Sequence, residues 1–124
     1  RDDGEYARTM QVAIRSGDAN KQLVVCLQHG RYKEARRLIE AGETEVNHRM
    51  DMKTFDTPLH YAVKRGDLDA AELLLIKGAD VYADNAQFES PTKLAYRMAN
   101  RAMFALLEKY GGRPVEERRH KSRR

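Results

Sequence analysis

The chain of 124 residues carries a net charge of +4, and 41% of its residues are hydrophobic and 34% charged. These values fit a single globular domain. The longest aliphatic run, at residues 73–76, is far shorter than the roughly 18 residues that suggest a membrane span. The single cysteine, Cys26, excludes an internal disulfide and favours an intracellular, reducing compartment, without separating cytosol, nucleus and organelle.

The positive charge is concentrated at the C-terminal end. Residues 113–124 hold six basic and two acidic residues, so the first 112 residues are neutral overall. We expect this basic tail to be disordered or held by a partner, and it could contact a polyanion. The candidate polyanion contacts are Arg118, Arg119, Lys121, Arg123 and Arg124.

The first predicted element is a helix over residues 5–16. Tyr6, Met10, Ala13 and Ile14 recur at helical spacing, and Gly17 stops the pattern. We interpret this helix as an added cap on the elements that follow.

Two registers fit the next segment. In the first, residues 22–29 form an inner helix and residues 32–41 an outer helix, with Lys21 where a capping residue is expected. In the second, Asp18 caps an outer helix that ends near residue 29. We favour the first, because the apolar positions of residues 32–41 match those of residues 68–77.

The clearest stretch covers residues 57–80 and predicts two short helices. Thr57 can cap the first helix, Pro58 suits its first position, and Gly66 ends it. The second helix carries an apolar face at helical spacing and stops at Gly78. Neither helix can bury its apolar face alone, so this unit requires packed neighbours.

The same pattern recurs 33 residues later, where Ser90 and Pro91 correspond to Thr57 and Pro58. With this period and the opening Thr-Pro-Leu-His-x-Ala, residues 57–80 resemble the ankyrin repeat. Residues 90–112 resemble it with two departures, since Lys93 replaces the motif histidine and Ala99 the motif glycine. The resemblance implies structural roles for Thr57, Pro58, His60, Gly66, Gly78, Ser90 and Pro91.

The resemblance implies an all-α fold: an ankyrin-repeat solenoid of about three helix-turn-helix repeats with projecting hairpin-like loops and an N-terminal capping helix. The predicted division is a domain at 1–112, with cap helix 5–16 and repeats at about 21–47, 57–82 and 90–112, followed by the tail at 113–124. Residues 30–41 also resemble a helical hairpin of the tetratricopeptide type, a rival that does not account for residues 57–80.

In the ankyrin family, the loops between repeats form fingers that stand away from the helices. The first finger should be the longer one, because three more residues separate Gly42 from Thr57 than Gly78 from Ser90. Phe55 and Phe88 stand where the family has a glycine in a tight turn, so we expect a wider turn or a packed ring. Each ring either covers the start of the next helix or belongs to an apolar stripe that contacts a partner.

The chain shows no pattern of residues typical of an enzyme. Its histidines are scattered without metal-ligand spacing, and it contains neither a Cys-x-x-Cys pair nor a glycine-rich phosphate loop. We therefore expect no enzyme activity, no cofactor and no metal. The resemblance gives His60 a structural role, in bonds to the hydroxyl of Thr57 and to the backbone of a neighbouring repeat.

The resemblance implies protein partners that bind the fingers and the exposed side of the inner helices. Lys64 and Arg97, one period apart, suggest a weakly cationic groove, and Tyr96 either lines this groove or belongs to the core in the place of Val63. The candidate partner contacts are Lys53, Phe55, Asp56, Tyr61, Lys64, Arg65, Asn85, Gln87, Phe88, Glu89, Lys93 and Arg97.

The function predicted from the sequence is a non-catalytic protein–protein interaction module, a small adaptor or assembly subunit of a larger complex. The alternative is an accessory subunit of a ribonucleoprotein or other nucleic-acid assembly, anchored by the basic tail.

Overall fold

A computed structural model describes residues 3–111, and the regular secondary structure of this range is entirely helical. The helices are α1 (Asp3–Ser16), α2 (Ala19–Gln28), α3 (Tyr32–Glu40), α4 (Pro58–Arg65), α5 (Leu68–Ile76), α6 (Pro91–Arg97) and α7 (Arg101–Gly111). The predicted all-α class is confirmed.

The helices form two rows. Helices α2, α4 and α6 pack side by side as an inner row, and α3, α5 and α7 form an outer row. Each inner helix also packs on the outer helix that follows it, and α1 packs on α2. This arrangement is the predicted helical-repeat solenoid, in which each repeat is stabilised mainly by its neighbours.

Short polar residues cap the starts of α5 and α6. The carboxylate of Asp67 accepts a hydrogen bond from the backbone N–H of Ala70 at 3.1 Å, and the hydroxyl of Ser90 accepts one from the N–H of Lys93 at 3.1 Å. Each bond satisfies a donor that the first turn of a helix leaves without a partner. Gly66 ends α4 with a φ of 74°, a conformation that glycine adopts without steric cost.

One continuous hydrophobic core runs through the stack from Leu23 to Leu107. Alanines recur in it, and Ala62, Ala71 and Ala95 are almost completely buried. Such small side chains allow neighbouring helices to approach closely, so the core is shared between repeats rather than divided among them.

The N-terminal part departs from the sequence prediction in its details. The first helix begins at Asp3, two residues before the predicted start, and Ile14 of its predicted apolar face is 52% exposed. Helix α2 begins at Ala19, and the Asp18 carboxylate caps it by accepting from the N–H of Asn20 at 2.9 Å. Lys21 therefore lies inside the helix, so its assignment to the capping position is wrong.

Each of the two predicted registers contained part of this arrangement. The packing of α2 on α4 and of α3 on α5 makes α2 an inner and α3 an outer helix, as the first register has it. Asp18 as the cap comes from the second register. The physical reason is that an aspartate accepts the orphan N–H groups of a first turn, which a lysine cannot do.

Replacing Asp18 by alanine should therefore lower the free energy of unfolding by about 1 kcal/mol, the usual value of a helix cap. Lys21→Ala is the matched control, because this exposed position is inside the helix, and it should change stability by less than about 0.5 kcal/mol. Urea denaturation of both variants measures the difference. Equal losses, or a larger loss in Lys21→Ala, would contradict the observed start of α2.

Candidate partner-binding surface on the fingers

The two longest connections form fingers: the first finger comprises residues 43–56 and the second finger residues 79–89. The first is closed by a hydrogen bond of 2.7 Å from the N–H of Met50 to the carbonyl of Asp56, and the second by one of 3.0 Å from the N–H of Asn85 to the carbonyl of Glu89. Five residues lie inside the first closure and three inside the second. The first finger thus has the longer tip.

Phe55 and Phe88 end turns at the fingers with φ angles of 58° and 62°, the left-handed conformation that the glycines of the family would have. The N–H of Phe55 donates to the carbonyl of Asp51, four residues earlier, and that of Phe88 to the carbonyl of Asn85, three residues earlier, so the wider turn that was expected is present at Phe55 and absent at Phe88. For a residue with a Cβ the left-handed conformation costs about 1–2 kcal/mol. The side chains remain 43% and 73% exposed.

Basic side chains hold the backbone of both turns. Arg49 donates from Nη1 to the carbonyl of Phe55 at 3.1 Å, and Lys93 donates from Nζ to the carbonyl of Phe88 at 3.1 Å. The same nitrogen of Arg49 donates to the carbonyl of Asp84 at 2.8 Å, so this residue also joins the first finger to the second.

Further hydrogen bonds link the two fingers along their length. Near the tips, the N–H of Ala86 donates to the carbonyl of Thr54 at 2.7 Å. Near the base, the Asn47 amide accepts from the N–H of Asp80 at 2.8 Å and donates to the carbonyl of Gly78 at 3.2 Å. The two phenylalanines are therefore carried on one cross-linked unit.

A buried polar network lies beneath the fingers. The carboxylate of Asp56 accepts from the Asn85 amide at 3.0 Å and from Nζ of Lys64 at 2.6 Å. The side-chain oxygen of Asn85 in turn accepts from the N–H groups of Gln87 and Glu89. Burial by itself raises the pKa of the Asp56 carboxyl, but the bonds from Lys64 and Asn85 outweigh it, so the pKa is lowered.

Asp56 and Asn85 are only 1% and 5% exposed, so their prediction as partner contacts is wrong. Their polar groups are used within the fold, where they fix the second finger to the start of α4. The sequence did not reveal this hydrogen bond, because Asp56 and Asn85 are 29 residues apart in the chain and each has the character of an ordinary loop residue.

His60 makes the second link from α4 to the second finger. Its Nδ1 accepts from the backbone N–H of Thr57 at 3.0 Å and lies 2.9 Å from the hydroxyl of that residue. The proton is therefore on Nε2, which donates to the carbonyl of Glu89 at 2.8 Å. Burial lowers the pKa of His60, and the neutral ring suits this arrangement of one acceptor and one donor.

Most of the remaining candidate side chains are occupied by contacts within the fold. Lys64 pairs with Asp56 and Arg97 with Glu89, so the predicted cationic character at these two positions is neutralised. Arg65 donates to the carbonyl of Gln28 at 2.9 Å. Tyr61 is half-buried, and its burial raises its pKa to about 12.

The exposed side chains at the finger ends remain as the candidate surface. Met52, at the tip of the longer finger, is 79% exposed and was missed by the sequence analysis, although the extra residues of this finger were a signal for it. Lys53 and Gln87 are exposed beside the two rings. We call the set of Met52, Lys53, Phe55, Gln87 and Phe88 the fingertip surface.

Residues 3–111 offer no arrangement typical of catalysis by a metal or a thiol. No group of three or more His, Cys, Asp or Glu residues in the described part of the chain could hold a metal ion. The thiol of Cys26 is fully buried, and burial raises its pKa to about 11. None of the helices described here is long and apolar enough to cross a membrane.

The tail prediction, with Arg118, Arg119, Lys121, Arg123 and Arg124, lies outside the described residues. The binding of a nucleic acid through this tail stays a prediction.

Two rows of short helices with projecting fingers define a helical-repeat protein. The family model of the ankyrin repeat matches residues 55–86, which include α4, α5 and most of the second finger. The resemblance to this family is thus confirmed for the central segment. Ankyrin repeats generally mediate protein–protein interactions and are typically non-catalytic.

Replacing Asp56 by alanine should lower the free energy of unfolding by about 1–3 kcal/mol, because the buried Asn85 amide and the Lys64 ammonium lose their shared acceptor. The matched control is Asp84→Ala, at an exposed position of the second finger, with a change below about 0.5 kcal/mol. Urea denaturation checks both values. An Asp56→Ala protein as stable as its control would refute the structural role of this carboxylate.

The lowered pKa of His60 predicts acid sensitivity. Below the unfolded-state pKa of about 6.5, the unfolded chain binds a proton that the folded ring does not, so the free energy of unfolding falls as pH decreases. Denaturation between pH 7 and pH 5 measures this slope, well above the range near 3.8 in which Asp56 would contribute.

The variant His60→Gln should be less stable at pH 7 but should show a flatter dependence between pH 7 and pH 5. His48→Gln, at a half-exposed finger position, serves as the control and should retain the slope. A slope that persists unchanged in His60→Gln would contradict the assignment.

Proposed function

We propose that the chain is a non-catalytic protein-binding module, a small adaptor or assembly subunit, whose partner contacts the fingertip surface. The observation that carries the proposal is the conformation of Phe55 and Phe88, which combine a left-handed backbone with exposed aromatic rings. We also propose an intracellular, reducing location, with which the buried free thiol of Cys26 is compatible.

The backbone strain supports a role outside the fold. Glycine at either position would remove about 1–2 kcal/mol of steric cost, and it is the residue that such a turn favours. Phenylalanine keeps that cost, while a large part of each ring faces solvent instead of the core. Strained backbone conformations of this kind cluster at functional positions.

The composition of the surface supports a protein as the partner. Aromatic side chains and methionine are enriched at protein interfaces, and a few such anchors usually contribute most of the binding energy. Here two phenylalanines and one methionine project from adjacent fingers, beside one lysine and one glutamine.

The links between the fingers favour affinity. Arg49 and the contact between Ala86 and Thr54 hold the two tips together before any partner arrives. A surface that is already ordered loses less conformational entropy on binding than a pair of independent loops. The surface therefore acts as one site rather than as two separate contacts.

The double variant Phe55→Gly, Phe88→Gly separates binding from folding. Relief of the left-handed strain offsets the lost ring contacts and the greater freedom of the unfolded chain, so the free energy of unfolding should stay within about 1 kcal/mol of the original or rise. Partner affinity should fall at least about tenfold, which corresponds to about 1.4 kcal/mol.

The measurement uses a photo-crosslinking amino acid at position 88 of the full chain in its native cells, with position 76 on the outer row as the control site. Proteins captured from position 88 and absent from position 76 are then titrated against the purified original and double-variant chains. Ile76→Ser is the matched variant, since Ile76 is 60% exposed and lies at the end of α5, outside the fingertip surface. If the double variant loses several kcal/mol of stability but binds the captured protein normally, both rings stabilise the fold and the proposed partner surface is wrong.

A further inference from the structure

A second apolar surface lies at the C-terminal end of the described stack and is lined by other residues than the fingertip surface. It is a groove of about 540 Å³ between the end of α6 and the start of α7, within the size range of small binding sites. The rings of Tyr96 and Phe104 line it and contact each other, with centroids 5.9 Å apart, and Ala95 and Ala99 also belong to its lining.

The 33-residue period explains why no helix of residues 3–111 lies over these residues. Tyr96 and Phe104 occupy the positions that correspond to Val63 and Ala71 in the preceding repeat, and both of those residues are completely buried. Tyr96 is 76% exposed, so the suggestion that it belongs to the core is wrong. The groove is the face on which a following repeat would pack.

The side chains in the groove disfavour another repeat or a second copy of the chain as its occupant. A repeat packed as α6 packs on α4 would have to fit against a tyrosine and a phenylalanine where the stack otherwise has a valine and an alanine. Overpacking of this kind typically costs about 1–3 kcal/mol. A short peptide segment can lie along the groove, against the exposed faces of the two rings, without this cost.

The charges at the groove define the chemistry of that segment. Arg97 and Arg101 line it, and no carboxylate from residues 3–111 does so. Arg97 is bound to Glu89, whereas Arg101 makes no ion pair or side-chain hydrogen bond with the described residues. The groove therefore presents a cation available to an acidic partner, directly beside two aromatic rings.

We propose that this groove binds a short segment of a partner protein in which a carboxylate side chain is adjacent to an aliphatic or aromatic one. The apolar side chain packs on the exposed faces of the Tyr96 and Phe104 rings, and the carboxylate pairs with Arg101. A guanidinium next to an apolar wall is well suited to a carboxylate, because it offers paired donors. None of the residues that line this groove belongs to the fingertip surface.

The test uses a phage-displayed library of random eight-residue peptides, selected on the full-length chain. The selected peptides should combine Asp or Glu with Leu, Ile, Phe or Tyr, and a synthetic copy of one of them serves as the probe for affinity measurements. Replacing its acidic residue by the amide should weaken binding about tenfold. A library that gives no binder, or only binders without a carboxylate, overturns the proposal.

Variants of the chain test whether the peptide binds in the groove. Tyr96→Ser and Arg101→Glu should each weaken binding of the probe about tenfold or more, and a negative residue at the start of α7 suits the helix dipole, so folding is retained. Ile76→Ser and the double variant Phe55→Gly, Phe88→Gly should bind the probe with unchanged affinity. The double variant distinguishes the two sites: loss of probe binding in it, with retention in Arg101→Glu, overturns the groove but leaves the fingertip proposal standing.

Two other occupants are outcomes of the same experiments. Self-association that Tyr96→Ser abolishes, measured by sedimentation velocity, would assign the groove to a second copy and overturn the proposal. The variant Glu116→Lys, Glu117→Lys in the full chain should bind the probe as the original does. A gain of tenfold or more would mean that the acidic residues of the chain's own tail compete for the groove, which also overturns the proposal.

Discussion

The fold depends on the buried polar links between the start of α4 and the second finger. His60 donates to the carbonyl of Glu89, and Asp56 accepts from the amide of Asn85. Short helices of 7–14 residues have little stability of their own, so their arrangement relies on packing and on contacts that fix one repeat against the next. These two hydrogen bonds cross from one repeat to the next, one of them fully buried and the other partly buried, and they fix the position of the finger.

The exposed residues depend on this buried layer. Two contacts restrain the second finger. The side-chain oxygen of Asn85 accepts from the N–H of Glu89, and Arg49 donates to the carbonyl of Asp84, so the turn at Phe88 has few conformations available. A turn without these constraints could relax away from the left-handed region and would lose its strain. The same contacts that stabilise the repeat therefore maintain a costly backbone geometry at the tips, which is the usual relation between a rigid scaffold and a binding site.

Local signals in the sequence were sufficient for the helices and their order. The capping residues and prolines of residues 57–80 recur 33 residues later, and this period alone predicts equivalent helices in a stack. The start of α2 was harder, because Asp18 and Lys21 stand in competing registers and only packing against α4 decides between inner and outer helix.

The site was less predictable, because its properties arise from contacts distant in sequence. A polar residue before a helix cap, such as Asp56, looks exposed until the Asn85 amide 29 residues away is placed against it. A phenylalanine in place of a glycine indicated an unusual turn at Phe55 and Phe88. The sequence did not show that each residue would keep a positive φ, because the hydrogen bonds to their carbonyls come from the side chains of Arg49 and Lys93. Met52 becomes prominent only because the first finger has a longer tip.

The central claim is that the two phenylalanines are presented on a backbone as rigid as the helices. Nuclear magnetic resonance relaxation of the backbone amides measures this directly. We predict order parameters of about 0.85 at Phe55 and Phe88, equal to those of α4 and α5. Values below about 0.6 at these two amides would show flexible tips and would contradict the account.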